Sequence, residues 1–388
     1  MSVCILGRLP QLGIAELESL YGAEHIRPVE GAVLIDIPAE SIDFKRLGGT
    51  IKVARILATL PNTSWRQVFA YLKTAIPQHL QSLPEGKFTL GISVYGLTVK
   101  LNDLNKSSLE LKKLIKGGGR PVRVVPNKNL ELNSAQVLHN KLIHRGAWEL
   151  DLIKDGDQTI IAQTLFIQDI EAYAARDQAR PARDARVGML PPKLAQTIIN
   201  LTNPATGATI LDPFCGTGVI LQEALLMGFN TVGSDLEPRM VEYSQKNIDW
   251  LRQNASRELP ELTLEVADAT SHHWTTKFDA VASETYLGRA LSQLPAEAEL
   301  KQIVADTNTI VKKFLANLGP QLQSGSRICL ALPAWQLGPN RFLRLPVLDK
   351  LTEMGYNYLD LKHVRRDELV YYRADQIVAR QLIIAQKV

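Results

Sequence analysis

Residues 211–218 read L-D-P-F-C-G-T-G, and this stretch has the composition of a ligand-binding loop. An apolar run at 208–211 precedes it, and an apolar-faced helix is predicted over 219–227. The order is strand, glycine turn, helix. Asp212 then falls at the carboxyl end of a strand, where open α/β sheets bind ligands. Gly216 and Gly218 lack a Cβ, so the backbone can turn tightly and a ligand can approach it. Pro213, Phe214, Cys215 and Thr217 complete the loop. The spacing departs from G-x-G-x-x-G, and the plain alternative is a structural strand-to-helix turn. Asp235 closes the next strand, T-V-G-S-D, 17 positions after Gly218. A carboxylate there can accept both ribose hydroxyls of a nucleoside, or simply precede a helix that starts at Pro238. Leu236 follows it. Asp268, beside Ala269 in V-A-D-A, is placed for an adenine amine, although aspartate at a strand end also commonly serves a turn. No histidine lies near Cys215 in sequence, so Cys215 reads as a small packing residue and not as a nucleophile.

These residues sit in a chain long enough for two or three domains. It has 388 residues, 45% apolar and 22% charged, the profile of a globular protein with ample core. No apolar run is long enough to span a membrane, and the N-terminus lacks the basic start of a signal peptide. Three widely separated cysteines point to a reducing, cytoplasmic setting. They argue against disulfides, and the seven histidines lack metal-ligand spacing, so no metal is expected. The net charge of +4 is uneven: residues 51–150 carry 15 Lys/Arg against 5 Asp/Glu, whereas residues 186–388 carry 21 of each. A basic block beside a neutral half fits a polyanion-binding module attached to an enzyme, with a merely solvated face as the alternative.

The elements follow from periodicity. In the N-terminal part, strands are predicted over 3–6, 32–37, 88–95, 122–125, 148–153 and 159–167, the last two as a pair. Helices are predicted over 14–20, 65–80, 109–115 and 134–142. Residues 171–192, with Pro181, Pro191, Pro192 and no apolar period, read as a linker. The C-terminal half alternates strand and helix, which predicts a parallel sheet. Its strands are expected at 208–213, 230–235, 262–267, 278–283, 326–333, 357–364 and 376–386, the last two as an antiparallel hairpin at the sheet edge.

The 211–218 loop resembles the first motif of S-adenosylmethionine-dependent methyltransferases, in the form found in enzymes that modify RNA bases. Seven strands with a closing hairpin match the class I, Rossmann-like version of that α/β fold. The match extends further. The chain carries L-G-R-L-P-Q-L near its start, L-G-G-T-I-K at 47–52 and F-T-L-G-I-S-V-Y-G at 88–96. It adds the segment 134–142, Tyr173, Arg176-Asp177, Arg180-Pro181 and M-L-P-P-K-L-A at 189–195. On these features it is similar to the THUMP-domain tRNA guanine-N2 methyltransferases. The resemblance implies a ferredoxin-like domain over 1–60, a THUMP RNA-binding domain over 61–170, a linker over 171–185 and a class I methyltransferase domain over 186–388. It implies S-adenosyl-L-methionine as cofactor, tRNA as partner and Phe214 and Cys215 on the methionine side. It also implies that residues 189–195 pack over the cofactor pocket.

Amino-methylating relatives often carry Asp/Asn-Pro-Pro-Tyr/Phe after the fourth strand. A polar side chain and a carbonyl there accept hydrogen bonds from the target amine, and a ring stacks on the base. This chain reads Ser283-Glu284-Thr285-Tyr286 and lacks both prolines. Aligned by strand length, Glu284 takes the acidic position with Thr285 next. Aligned by the aromatic residue, Ser283 takes it and Tyr286 keeps the ring. The reading preferred here makes Glu284 the acceptor and Tyr286 the base platform. Candidate RNA contacts are Lys112, Lys113, Lys116, Arg120 and Arg123, which suit phosphates, or else complement a helix C-terminus. Three functions follow: a tRNA guanine-N2 methyltransferase, an enzyme of the same fold on another base amine or a protein glutamine, or an RNA-binding protein with a decayed catalytic loop. A nicotinamide-dependent oxidoreductase fits less well, because no tyrosine–lysine pair or histidine is arranged for hydride transfer.

Overall fold

The structure, a computed structural model, describes residues 1–81, 83, 85–184 and 189–388. They form two compact units. The first comprises Met1–Pro10, Glu24–Lys45 and Thr50–Ile170, and the second Gln11–Ala23, Arg46–Gly49 and Glu171–Val388. The first helix, α1 (Pro10–Tyr21), therefore counts almost wholly with the second unit.

The first unit is built on eight strands: β1 (Ser2–Leu6), β2 (Ile26–Val29), β3 (Ala32–Ile35), β4 (Thr50–Leu60), β5 (Phe88–Tyr95), β6 (Val122–Val124), β7 (Ala147–Asp155) and β8 (Gln158–Ile167). They share one sheet in the order β2-β3-β1-β4-β8-β7-β5-β6. The border expected at residue 60 falls inside this sheet. β4 pairs antiparallel with β8 from Lys52 against Ile167 to Leu60 against Thr159, so one ladder crosses it. Among the described residues this unit has the α-helices α2 (Trp65–Leu80), α3 (Leu101–Gly117) and the short α4 (Ser134–His139). On α2, Val68, Leu72, Ile76 and Leu80 recur every four residues and bury one stripe. That stripe packs with Leu104, Leu111 and Ile115 of α3 and Phe88, Leu90 and Ile92 of β5. A small charged cluster of Lys52, Glu149 and Asp151 lies inside. Lys52 is fully buried, and its Nζ donates to Glu149 Oε1 at 2.5 Å and the Leu132 carbonyl at 2.9 Å. Ser93 and Thr164 also donate to Glu149, which offsets the cost of burying the pair.

The second unit holds a nine-stranded sheet. Its strands are β9 (Thr209–Asp212), β10 (Asn230–Asp235), β11 (Leu262–Val266), β12 (Ala280–Glu284), β13 (Arg327–Gly338), β14 (Arg341–Leu343), β15 (Tyr356–Tyr358), β16 (Val370–Tyr371) and β17 (Val378–Lys387). The order is β11-β10-β9-β12-β13-β17-β15, with β14 on β13 and β16 on β17. β9 to β13 run parallel along that path, and β17 is antiparallel to both β13 and β15. The expected closing hairpin is present, but its first strand is three residues long where 357–364 was expected. The reason is a partner far away in sequence. The Lys362 and His363 amides donate to the Glu18 carboxylate of α1, which takes them out of any ladder.

The helices of this unit are α1, α5 (Ile170–Ala174), α6 (Pro192–Leu201), α7 (Val219–Leu226), α8 (Pro238–Asn254) and α9 (Glu297–Leu318). The stretch expected to be a linker instead forms α5 and a π-helical turn at Ala175–Ala179. Single polar anchors hold it where no apolar period is available. Tyr173 donates to Gln196 at 2.6 Å, and Arg176 pairs with the buried Glu223 of α7. The expected border at residues 185 and 186 lies outside the described residues.

Buried Glu16 of α1 explains the glycine pair in L-G-G-T. Its carboxylate accepts the Gly48 and Gly49 amides at 2.9 and 2.8 Å and the Asn200 side chain at 2.7 Å. A methyl group on Gly48 would collide with the Lys193 carbonyl oxygen and the Thr197 hydroxyl. Gly48→Ala should therefore cost at least about 2 kcal/mol in chemical denaturation. Gly117→Ala, at a helical position with nothing within 4 Å, should instead be neutral or stabilise by about 0.5 kcal/mol. Equal effects of the two substitutions would contradict this packing.

Candidate functional site

The sheet's carboxyl edge gathers the residues singled out by sequence. β9 delivers Asp212, which is 2% exposed. The chain then turns through Pro213, Phe214, Cys215, Gly216 and Thr217 into α7, whose N-cap is Gly218. Both glycines are left-handed, Gly216 at φ +51° and Gly218 at φ +80°. A Cβ on Gly218 would press on Ser244 of α8, whereas above Gly216 there is open space. A side chain at 216 would fill that space, so the loop has the shape of a cradle.

Asp235 organises the cradle. One carboxylate oxygen accepts the Gly216 amide at 2.9 Å and the other the Glu237 amide at 3.0 Å, just before α8. Burial raises its pKa against the lowering effect of those two amides. The Cys215 amide donates to the Ser234 carbonyl at 2.9 Å, and the Ser244 hydroxyl to the Gly216 carbonyl at 2.8 Å. The loop is thus fixed to β10 and α8 before any ligand arrives. The Cys215 thiol is buried, and burial pushes its pKa well up, in keeping with a packing role. Phe214 packs edge-on against Phe314 of α9 at 5.0 Å.

The flanking residues differ in environment. Leu236 and Val266, at the ends of neighbouring strands, are 64% and 55% exposed. Two apolar side chains left in solvent beside a carboxylate would suit a flat, partly apolar ligand. Val266 carried no signal in the sequence beyond its place at a strand end. Asp268 is exposed, and one of its oxygens accepts the Thr270 amide and hydroxyl at 2.9 and 2.7 Å, which lower its pKa. Through that oxygen it caps a turn. Ala269 is buried in the core cluster.

At the end of β12 the residues point to different tasks. The Ser283 hydroxyl donates to Asp212 at 2.6 Å, joining the ends of β9 and β12. Asp212 is nevertheless raised to about 7 by burial. Glu284, partly buried, forms an ion pair with the buried Arg380 of β17. Burial raises the Glu284 pKa, and the guanidinium opposes that rise. Arg380 had no motif to announce it, because β17 becomes a neighbour of the site only through the sheet order. Thr285 is buried with its hydroxyl on the Ala331 carbonyl at 3.4 Å, so of the expected catalytic trio it serves the strand. Tyr286 is 45% exposed.

In the first unit, Lys112, Lys113 and Lys116 are exposed on α3, and Arg123 is exposed on β6. Arg120 has another partner. Its guanidinium donates to the Leu80 carbonyl at the end of α2 at 2.7 Å and lies over the Phe88 ring. It supports α2 and β5, while the three lysines remain an exposed row.

Comparison with known proteins follows the same division. Residues 180–337 match the family model described as UPF0020, RMKL-like, methyltransferase domain. A tRNA (guanine(10)-N2)-dimethyltransferase of Methanothermobacter thermautotrophicus is 31% identical over 179 residues, 46% of this chain and 48% of that protein. The protein of the same name from Pyrococcus abyssi is 29% identical over 145 residues, 37% of this chain and 39% of that one. The chain thus spans about half the length, or less, of the curated relatives it matches. Among solved structures, TrmN from Thermus thermophilus superposes with a TM-score of 0.53 at 18% identity, over 100% of this chain and 99% of that one. SMU.472, described as a candidate methyltransferase and solved with SAH, gives 0.52 at 14%, over 100% and 98%. Residues 180–337 therefore match a methyltransferase domain in sequence, and the nine-stranded sheet that contains them has the class I methyltransferase fold.

Proposed function

We propose that the chain is an S-adenosylmethionine-dependent methyltransferase that acts on the exocyclic N2 amine of a guanosine in tRNA. The observation that carries this reading is the Asp235–Gly216 contact beneath an open glycine cradle at the end of parallel strands. The names of the relatives favour guanine in tRNA over other base amines.

The site fits the cofactor. Asp235 would accept the ribose hydroxyls, Leu236 and Val266 offer exposed apolar surface for the base, and residues 213–218 form the floor. The cofactor supplies an electrophilic methyl group on sulfur. Glu284 would accept a hydrogen bond from the guanine amine and so orient its lone pair. Arg380 holds that carboxylate in place and favours its ionised form, which can accept but not donate. Asp212, tied to Ser283, fixes the spacing of β9 and β12 and hence of cradle and acceptor. Tyr286 is exposed where a ring could stack on the base. In the first unit, the exposed lysine row on α3 would meet tRNA phosphates, which position the RNA without reading its sequence.

Two experiments test this reading. Labelled S-adenosylmethionine and unmodified tRNA should yield N2-methylated guanosine on nucleoside analysis. Glu284→Gln should lower the rate by about 100-fold or more while cofactor affinity stays within about twofold. Cofactor binding with no transfer to tRNA would instead support the binding-only alternative. Separately, tRNA affinity should be titrated against salt with Lys112, Lys113 and Lys116 all changed to alanine. Each lost phosphate contact should reduce the log–log slope by about one. An unchanged slope would remove this patch from the RNA surface.

A further inference from the structure

Arg180 stands out among the buried charges of the second unit. It is 3% exposed, yet its Nε and Nη1 have no hydrogen-bond partner among the described residues. Nη2 donates to the Met189 sulfur at 3.1 Å, a weak acceptor for a full positive charge. The Asp177 and Glu223 carboxylates act on it through space without bonding it, and Glu223 is taken by Arg176. A buried guanidinium with two unmet donors is costly, and among the described residues the nearby carboxylates offset that cost only through space.

Its place in the chain is informative. Two residues on, the Ala182 amide and carbonyl both bond the Asn247 side chain of α8, at 2.9 and 2.8 Å. The same Asn247 amide group donates to the Thr217 carbonyl at 2.8 Å. The Arg180 segment is thus stapled to the glycine loop at the point where α7 begins. α7 starts at Gly218, which has no side chain to cap it, so the helix dipole there also favours a negative group. Asp235 holds the adjacent Gly216 amide.

We infer that Arg180 binds the carboxylate at the amino-acid end of the cofactor. This assignment rests on the cofactor reading above and adds a residue and a chemical partner to it. A buried guanidinium with unmet donors calls for an anion, and a carboxylate oxygen can take a charge-assisted hydrogen bond from Nε or from Nη1. S-adenosylmethionine carries one such carboxylate, separated from its ribose by the sulfur and a short carbon chain. Asp235 and Arg180 would then hold the two ends, with the methyl-bearing sulfur between them. Arg180 is a cofactor-binding residue in this account and takes no part in the proton chemistry.

The test is calorimetric binding to the full chain, using two nucleosides that differ in the amino-acid end. S-adenosylhomocysteine has that end, and 5′-methylthioadenosine lacks it. The wild-type chain should prefer S-adenosylhomocysteine by about 10- to 100-fold. Arg180→Met should remove the preference and leave 5′-methylthioadenosine binding within about twofold, which also reports that the site is folded. Arg180→Lys, which keeps the charge without the planar fork, should retain part of the preference and carries the test if the methionine variant does not fold. An undiminished preference in either variant overturns the assignment, as does an equal loss of both ligands. A wild-type chain that binds neither nucleoside overturns the cofactor reading itself, and Arg180's role with it. A wild-type chain that binds both equally leaves that reading standing and overturns the role of Arg180 alone.

Discussion

The carboxylate of Asp235 holds two chain reversals at once. It accepts one amide from the glycine loop after β9 and one from the start of α8. A parallel sheet leaves its carboxyl edge to loops, and loops by themselves place side chains poorly. Here one side chain fixes both the floor and the wall of a cradle. Ser244, Ser234 and Asn247 then bond the same loop from α8 and β10, so it needs no ligand to keep its shape. The remaining features of the site are set relative to that loop. Ser283 reaches Asp212 at its start, and Ala182, two residues past Arg180, is stapled to its end through Asn247.

Buried charge is the second theme, and it separates structural from functional groups. Lys52, Glu16 and Glu223 are enclosed, and each has strong partners within the protein. Glu284 is partly buried, and among the described residues its strong partner is Arg380. Arg180 is enclosed with two donors unmet. Moving along that series, the protein supplies less of the compensation and a ligand must supply more. The two least compensated groups both lie in the unit that contains the glycine cradle.

Much of this was legible in the sequence where a signal is local. The glycine loop, Asp235 and the strand–helix alternation each occupy a short window, and α2 and β5 match their predicted bounds. What was illegible depended on distant partners. The end of the expected strand at 357–364 is lost because Glu18, more than three hundred residues away, takes the Lys362 and His363 amides. The segment 171–179 is helical because Tyr173 and Arg176 find Gln196 and Glu223, and no periodicity records that. Arg380 reaches Glu284 because β17 inserts between β13 and β15. Thr285 and Arg120 look available in sequence and turn out to be committed to backbone carbonyls.

The central claim is that Asp235 and the loop it holds form a nucleoside cradle in the class I methyltransferase fold. The most direct measurement is a crystal structure of the full chain with S-adenosylhomocysteine. The account predicts both ribose hydroxyls on the Asp235 carboxylate, with the ligand lying over Gly216. A nucleoside bound elsewhere, or bound with its ribose turned away from Asp235, would contradict it.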